Sequence, residues 1–258
     1  MTLDYPYALP AERYRELLDE DFRRLRALVE EAGDRPVPSC PGWTAADVVR
    51  HTAMVYLHKV ASIRDGVMPT PDSGWPPERV RPDEPGLLLE DAYRQLVEQL
   101  DNHRPADHAA TWWPPDQTVG FWLRRMAHET SIHRRDVESA VGAETPVAPD
   151  LAVDGTDEVL ALMLAGDWSD EVVPEASGAT VLPEGGGHRW AVTLQPGQVT
   201  LDRSDADTDA DLGAVTARVV GDPGQLVLWL WGRGPQPSAD GSPAAVAELR
   251  ERLRRATQ

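Results

Sequence analysis

Cysteine and lysine each occur once in the 258 residues, and phenylalanine only twice. A lone Cys40 excludes an intrachain disulfide and a cysteine-rich metal site. With Lys59 as the single lysine, every other basic side chain is arginine. Together with the abundant Ala, Pro, Gly and Asp, that bias is the mark of a high-GC genome. Positive charge is scarce as well: 25 basic residues face 43 acidic ones, for a net charge of −18. Such a chain lacks the basic stripe of a sequence-independent nucleic-acid binder, and it is equally unsuited to an anionic membrane. No apolar run approaches the ~18–20 residues of a membrane span. The start, MTLDYPYALPAERYREL, has no basic region followed by an apolar stretch, so no secretory signal is read there. These absences lead to the expectation of a cytoplasmic protein.

What is present suffices for a packed core, with 41% hydrophobic residues. Domain sizes of roughly 100–200 residues allow one large domain or two small ones. Leu17, Leu18, Phe22, Leu25, Leu28 and Val29 recur at helical spacing between Pro10 and Gly33. Thr44 with Asp47 predicts a capped second helix running to about Asp65. Six prolines break residues 66–86. Further helices are expected over about Leu87–Asn102, Val119–Val141 and Asp154–Ala165. Composition then turns acidic and glycine-rich over Gly166–Gly187. Arg189–Leu194 and Gln198–Leu201 alternate like paired strands around Pro196-Gly197, and Val215–Val220 reads as a third strand. Asp222-Pro223 and Ser242-Pro243 each open a helix. The expected class is α+β: a helical bundle over residues 1–165, then a small α+β domain over 166–258.

The chemistry concentrates in Arg124-Arg-Met-Ala-His128-Glu129-Thr-Ser-Ile-His133-Arg-Arg-Asp136. The zinc-protease motif HExxH needs its histidines four apart. Here they are five apart and diverge by about 140° on a helix, so one ion cannot take both. Glu129 and His133 are four apart and share a face with Arg125 and Asp136. They offer two ligands to a divalent metal, with Asp136 able to hold the imidazole. A solvated Glu–His pair has the same spacing. A third ligand must come from another helix. His51, among Val48 and Val55, competes with His58 for that place, and a hydrogen-bonded core histidine is the alternative for His51. Such a three-ligand set leaves positions open, as catalysis requires.

Val37-Pro-Ser-Cys-Pro-Gly-Trp-Thr44 followed by Asp47-Val-Val-Arg-His51 resembles the N-terminal signature of the mycothiol-dependent maleylpyruvate isomerase family. Trp122 to Asp136 resembles its second signature. Asp154-Gly-Thr-Asp-Glu158 and Leu226-Val-Leu-Trp-Leu-Trp-Gly-Arg233 fit later blocks. The resemblance implies a DinB-like four-helix bundle and a small α+β domain resembling sterol-carrier folds. It implies a divalent metal, zinc, held by His51, Glu129 and His133. It also implies mycothiol as thiol cofactor, acting on a small electrophilic, anionic substrate by isomerisation or S-transfer. The arginine bias agrees, because mycothiol is the thiol of high-GC Gram-positive bacteria. A non-catalytic metal- or ligand-binding protein and a metal-dependent hydrolase remain alternatives.

Arg233 is the expected catalytic residue outside the metal set, a fork for a substrate carboxylate. Contact with a helix C-terminus is its bland alternative. Cys40 reads as packing in its loop. Trp43, Trp112, Trp113 and Trp122 line a pocket or fill core. The acidic run Asp202–Asp211 lacks the Gly and Glu of a calcium loop. The expected partners are a small-molecule substrate and a small thiol, with no nucleic acid and no membrane, and the expected state is a monomer.

Overall fold

The computed structural model describes residues 5–76, 84–170, 177–207 and 214–257. They form two compact units. One spans Leu9–Pro146; the other begins at Val147 and includes Tyr5–Ala8. The class is α+β, as expected.

The first unit holds four long helices: α1 (Ala11–Ala32), α2 (Ala45–Asp65), α3 (Pro85–Asn102) and α4 (Val119–Val141). The expected starts of α2 and α4 are explained by their caps. The Thr44 hydroxyl accepts from the Asp47 N–H while the Asp47 carboxylate accepts from the Thr44 N–H. The Thr118 hydroxyl accepts from the Phe121 N–H. Each cap contributes about 1 kcal/mol. Gly66 ends α2 in the left-handed region at φ 66°, which costs glycine nothing. α4 packs against α1 and α2, and α3 packs on α2.

α4 is covered on nearly every side, so its polar residues must find partners inside. Arg134, 1% exposed, bonds Asp21 of α1 at 2.8 Å and Glu138 at 2.9 Å. Glu138 is also held by Arg24 of α1 and by the Thr145 N–H. His128 turns away from His133 to meet the Tyr14 ring edge-on at 6.2 Å, as the helical angle required.

The second unit carries α5 (Pro149–Glu158), a π-helical turn (Val159–Leu164), α6 (Pro223–Leu230), α7 (Pro243–Ala256) and a six-stranded sheet. The strands are β1 (Gly166–Asp167), β2 (Ala179–Gly185), β3 (His188–Gln195), β4 (Gln198–Asp205), β5 (Ala217–Val220) and β6 (Ser238–Gly241), in order β1-β4-β3-β2-β5-β6. Only the β2–β5 pairing is parallel. β3 and β4 pair around Pro196-Gly197 with Gln195 opposite Gln198, matching the expected hairpin. β2 lies where composition suggested only an acidic, glycine-rich stretch. It enters β3 through Gly186 and Gly187, both at positive φ, the backbone of a type I′ hairpin turn.

The units divide at Val147, not near residue 166. α5 begins five residues before its expected start, with Pro149 in its first turn. Val159, Leu160 and Leu164 bury into the sheet core with Trp190, Val192, Leu226 and Leu249. At roughly 1.5–3 kcal/mol per buried large aliphatic side chain, those contacts tie the segment to the second unit. The energetic boundary lies upstream of the composition shift at residue 166. Among the described residues no helix is long and apolar enough to cross a membrane.

Candidate metal centre

α2 and α4 run antiparallel, so His51 near the start of α2 meets the middle of α4. The His51 Nε2 lies 3.3 Å from Glu129 Oε1, and the His133 Nε2 lies 3.1 Å from the same oxygen. The two imidazole rings stand 4.9 Å apart at 79°. Ligand-type atoms of His51, Glu129 and His133 all fall within 4.8 Å of one another, the one such group among the described residues. His58 is elsewhere. Its Nε2 reaches the Pro69 carbonyl at 3.2 Å and its ring meets Trp75, so of the two histidines it is His51 that stands beside Glu129.

Two neighbours fix the cluster. Arg125 Nη2 donates to Glu129 Oε2 at 2.8 Å, leaving Oε1 for the imidazoles. Asp136, fully buried, accepts from His133 Nδ1 at 3.0 Å. That bond turns His133 Nε2 toward Glu129 and His51, the arrangement that orients a metal-binding imidazole. Asp136 in turn accepts from the Ser39 hydroxyl at 2.7 Å. Ser39 lies inside the Val37–Thr44 motif, and its role was not read from the sequence, where Cys40 drew attention. Cys40 is partly buried beside it, with Sγ 4.0 Å from Ser39 Oγ.

Burial opposes charge on Glu129, but His133, the His51 hydrogen bond and Arg125 outweigh it and hold the carboxyl well below its usual range. Burial also opposes the His133 imidazolium; Glu129 and Asp136 overcome it and raise its pKa to about 9. The ring therefore sits between two carboxylates as a cation until something replaces its proton. The His51 side chain is 38% exposed, against 15% for Glu129 and 11% for His133. The cluster thus opens to solvent on the His51 side, where Trp43 stands edge-on at 5.4 Å. Two imidazole nitrogens and a carboxylate oxygen are a donor set suited to zinc, with room for an exchangeable ligand.

Lys59 was read only as a compositional curiosity. Its Nζ lies 4.5 Å from the centre of the Trp122 ring. Burial, with Arg125 adding to it and Glu129 opposing, lowers its pKa to about 8. Of the other tryptophans, Trp122 is fully buried, whereas Trp112 is 37% exposed. Arg233 lies in the second unit, in the turn after α6. Its Nη1 donates to the Trp231 carbonyl at 2.6 Å and its N–H to the Leu228 carbonyl at 2.7 Å, contacts with the α6 C-terminus. Asp202 and Asp205 lie on β4; Asp209 and Asp211 of the same run lie outside the described residues.

Residues 14–138 match the family described as the mycothiol maleylpyruvate isomerase N-terminal domain. Among solved structures, the chain is similar to a crystal structure of the mycothiol-dependent maleylpyruvate isomerase. That likeness has a TM-score of 0.59 at 16% identity, over 91% of this chain and 95% of the other. A mutant of that enzyme with one histidine replaced by alanine aligns with a TM-score of 0.56, also at 16% identity, over 89% of this chain and 97% of the other. At such identity the likeness is one of fold. No curated protein matches the sequence. Residues 14–138, within the helical unit, are thus a member of the mycothiol maleylpyruvate isomerase N-terminal domain family.

Proposed function

We propose that the protein is a metal- and mycothiol-dependent enzyme that isomerises a small electrophilic, anionic substrate or transfers the thiol to it. The observation that carries this reading is the convergence of His51, Glu129 and His133 within 4.8 Å on a face open at His51. These three side chains would hold a divalent ion, zinc by its preference for this donor set. Bound there, the ion supplies Lewis acidity that lowers the pKa of a thiol from about 8.5, so that thiolate is available at neutral pH.

The protein's own groups do the rest. Asp136 holds His133 by its Nδ1–H, and Arg125 holds the second oxygen of Glu129. Both keep the ligand atoms aimed at one point. A thiol bound there would supply reversible addition to an activated double bond for isomerisation, or lasting carbon–sulfur bond formation for S-transfer. Arg233 is assigned the substrate or cofactor carboxylate on the strength of the family resemblance and of arginine's fork.

Metal analysis of untagged protein, with and without mycothiol in turnover assays, tests the reading. Stoichiometric zinc, its loss in His51→Ala, and turnover that vanishes without thiol are expected. Metal without thiol-dependent turnover would favour the non-catalytic alternative, and turnover unchanged by thiol removal would favour a hydrolase.

A further inference from the structure

We infer that Lys59 is an anion-binding residue beside the metal centre, where its ammonium receives a carboxylate of the substrate. The inference deepens the proposed function and rests on that reading for the identity of the substrate. The anion site itself does not depend on thiol chemistry.

Four observations converge. Lys59 lies on α2 two turns after His51. The axial separation is about 12 Å at 1.5 Å per residue, and helical side chains lean back toward the N-terminus, which carries Nζ toward the His51 end. Second, the ammonium has no ion pair among the described residues. Its contacts are the Trp122 face at 4.5 Å and His58 Nδ1 at 3.3 Å. His58 Nε2–H donates to the Pro69 carbonyl, so Nδ1 is a neutral acceptor and offers Lys59 no counter-charge. Third, the nearby carboxylate, Glu129, is already engaged by Arg125, His51 and His133. A divalent ion at Glu129 together with Arg125 and Lys59 leaves positive charge in excess of the Glu129 and Asp136 carboxylates. Fourth, a half-buried cation without a counter-charge is costly; the lowered pKa of Lys59 expresses that cost. An anionic ligand would remove it. A flexible ammonium on an aromatic face can meet one oxygen of a small carboxylate as a point charge. The ligand class is therefore a short carboxylate whose reactive carbon sits toward His51 and whose anionic end reaches Lys59.

Because Lys59 is the single lysine, biosynthetic labelling with 13C-lysine gives one ε-carbon resonance and reads this side chain alone. The probe is succinate, a saturated dicarboxylate that undergoes no addition, titrated into the zinc-loaded full chain without thiol. The expected result is a saturable shift of that resonance and a Lys59 pKa raised above about 8, since the bound anion favours the charged form. Neutral succinamide should give neither. Lys59→Met should weaken succinate binding about tenfold with zinc stoichiometry unchanged, and Lys59→Arg should recover part of it. An unmoved resonance at millimolar succinate, or equal affinity in Lys59→Met, overturns the inference. If Lys59→Met does not fold, the wild-type titration decides alone. Loss of thiol dependence with an intact succinate shift would instead overturn the proposed reaction and leave the anion site standing.

Discussion

Asp157 in the second unit and Glu129 in the first are both carboxylates set among donors, and their partners differ in kind. Asp157 of α5 is wholly enclosed and is held by Arg203 of β4 and by the Trp190 indole N–H at 3.1 Å. Glu129 of α4 keeps 15% exposure and is held by two imidazoles and an arginine. Guanidinium and indole are donors without a usable lone pair. Their bonds to Asp157 can be broken but not exchanged for a metal. An imidazole nitrogen gives up its proton and becomes a ligand. Burial of a carboxylate is thus common to both units, and the partners decide which of the two could exchange a proton for a metal.

Breaking the structural carboxylate should give the largest change in stability. Asp157→Ala removes the buried carboxylate that meets Arg203 and the Trp190 indole, which costs about 3 kcal/mol for a buried pair; the 19% exposure of Arg203 keeps it near the lower end. Urea denaturation of the full chain measures it. Zinc stoichiometry of the folded fraction should stay the same. Loss of zinc with undiminished stability would erase the contrast between the two carboxylates.

The exchange of proton for metal at Glu129 has its own signature in pH. With the His133 pKa at about 9, metal uptake displaces a proton at neutral pH. Zinc affinity, measured by chelator competition, should rise about tenfold per unit of pH toward 9 and then level off. Metal-free protein should behave in the opposite sense. A raised histidine pKa stabilises the fold fully below its ordinary 6.5, and that contribution is lost as pH climbs through about 9. Affinity that is flat with pH would mean that the imidazole is already neutral.

The contrast was only half legible in the sequence. The stripe of Arg125, Glu129, His133 and Asp136 follows from helical spacing, and the caps at Thr44 and Thr118 follow from residue type, so the helical unit and this stripe were readable. The preference for His51 over His58 came from the family signature and not from spacing, because it depends on which turn of α2 faces α4. Asp157 was quoted only as part of a motif. Its partners Trp190 and Arg203 come from strands far along the chain, and such pairing has no local signature. The same holds for β2, whose flanking acids and glycines hid it although the Gly186-Gly187 turn was a usable signal. α5 was assigned to the wrong unit for a related reason: helical periodicity does not say what a helix packs against.

Weakening the support of His133 sharpens the comparison at smaller cost. Asp136→Asn keeps the shape but removes the charge that faces Nδ1, and zinc affinity should fall by about 10–100-fold with the fold retained. Ser39→Ala removes the next bond outward. The hydroxyl donates to Asp136 at 2.7 Å, and Asp136 retains its bond to His133 without it, so the loss is about 1 kcal/mol or a few-fold in affinity. Chelator competition distinguishes the two variants. If Ser39→Ala costs as much as Asp136→Asn, the Val37–Thr44 loop rather than the helix sets the position of Asp136. The Glu129 centre would then depend on a loop from outside α4, as Asp157 depends on strands from outside α5.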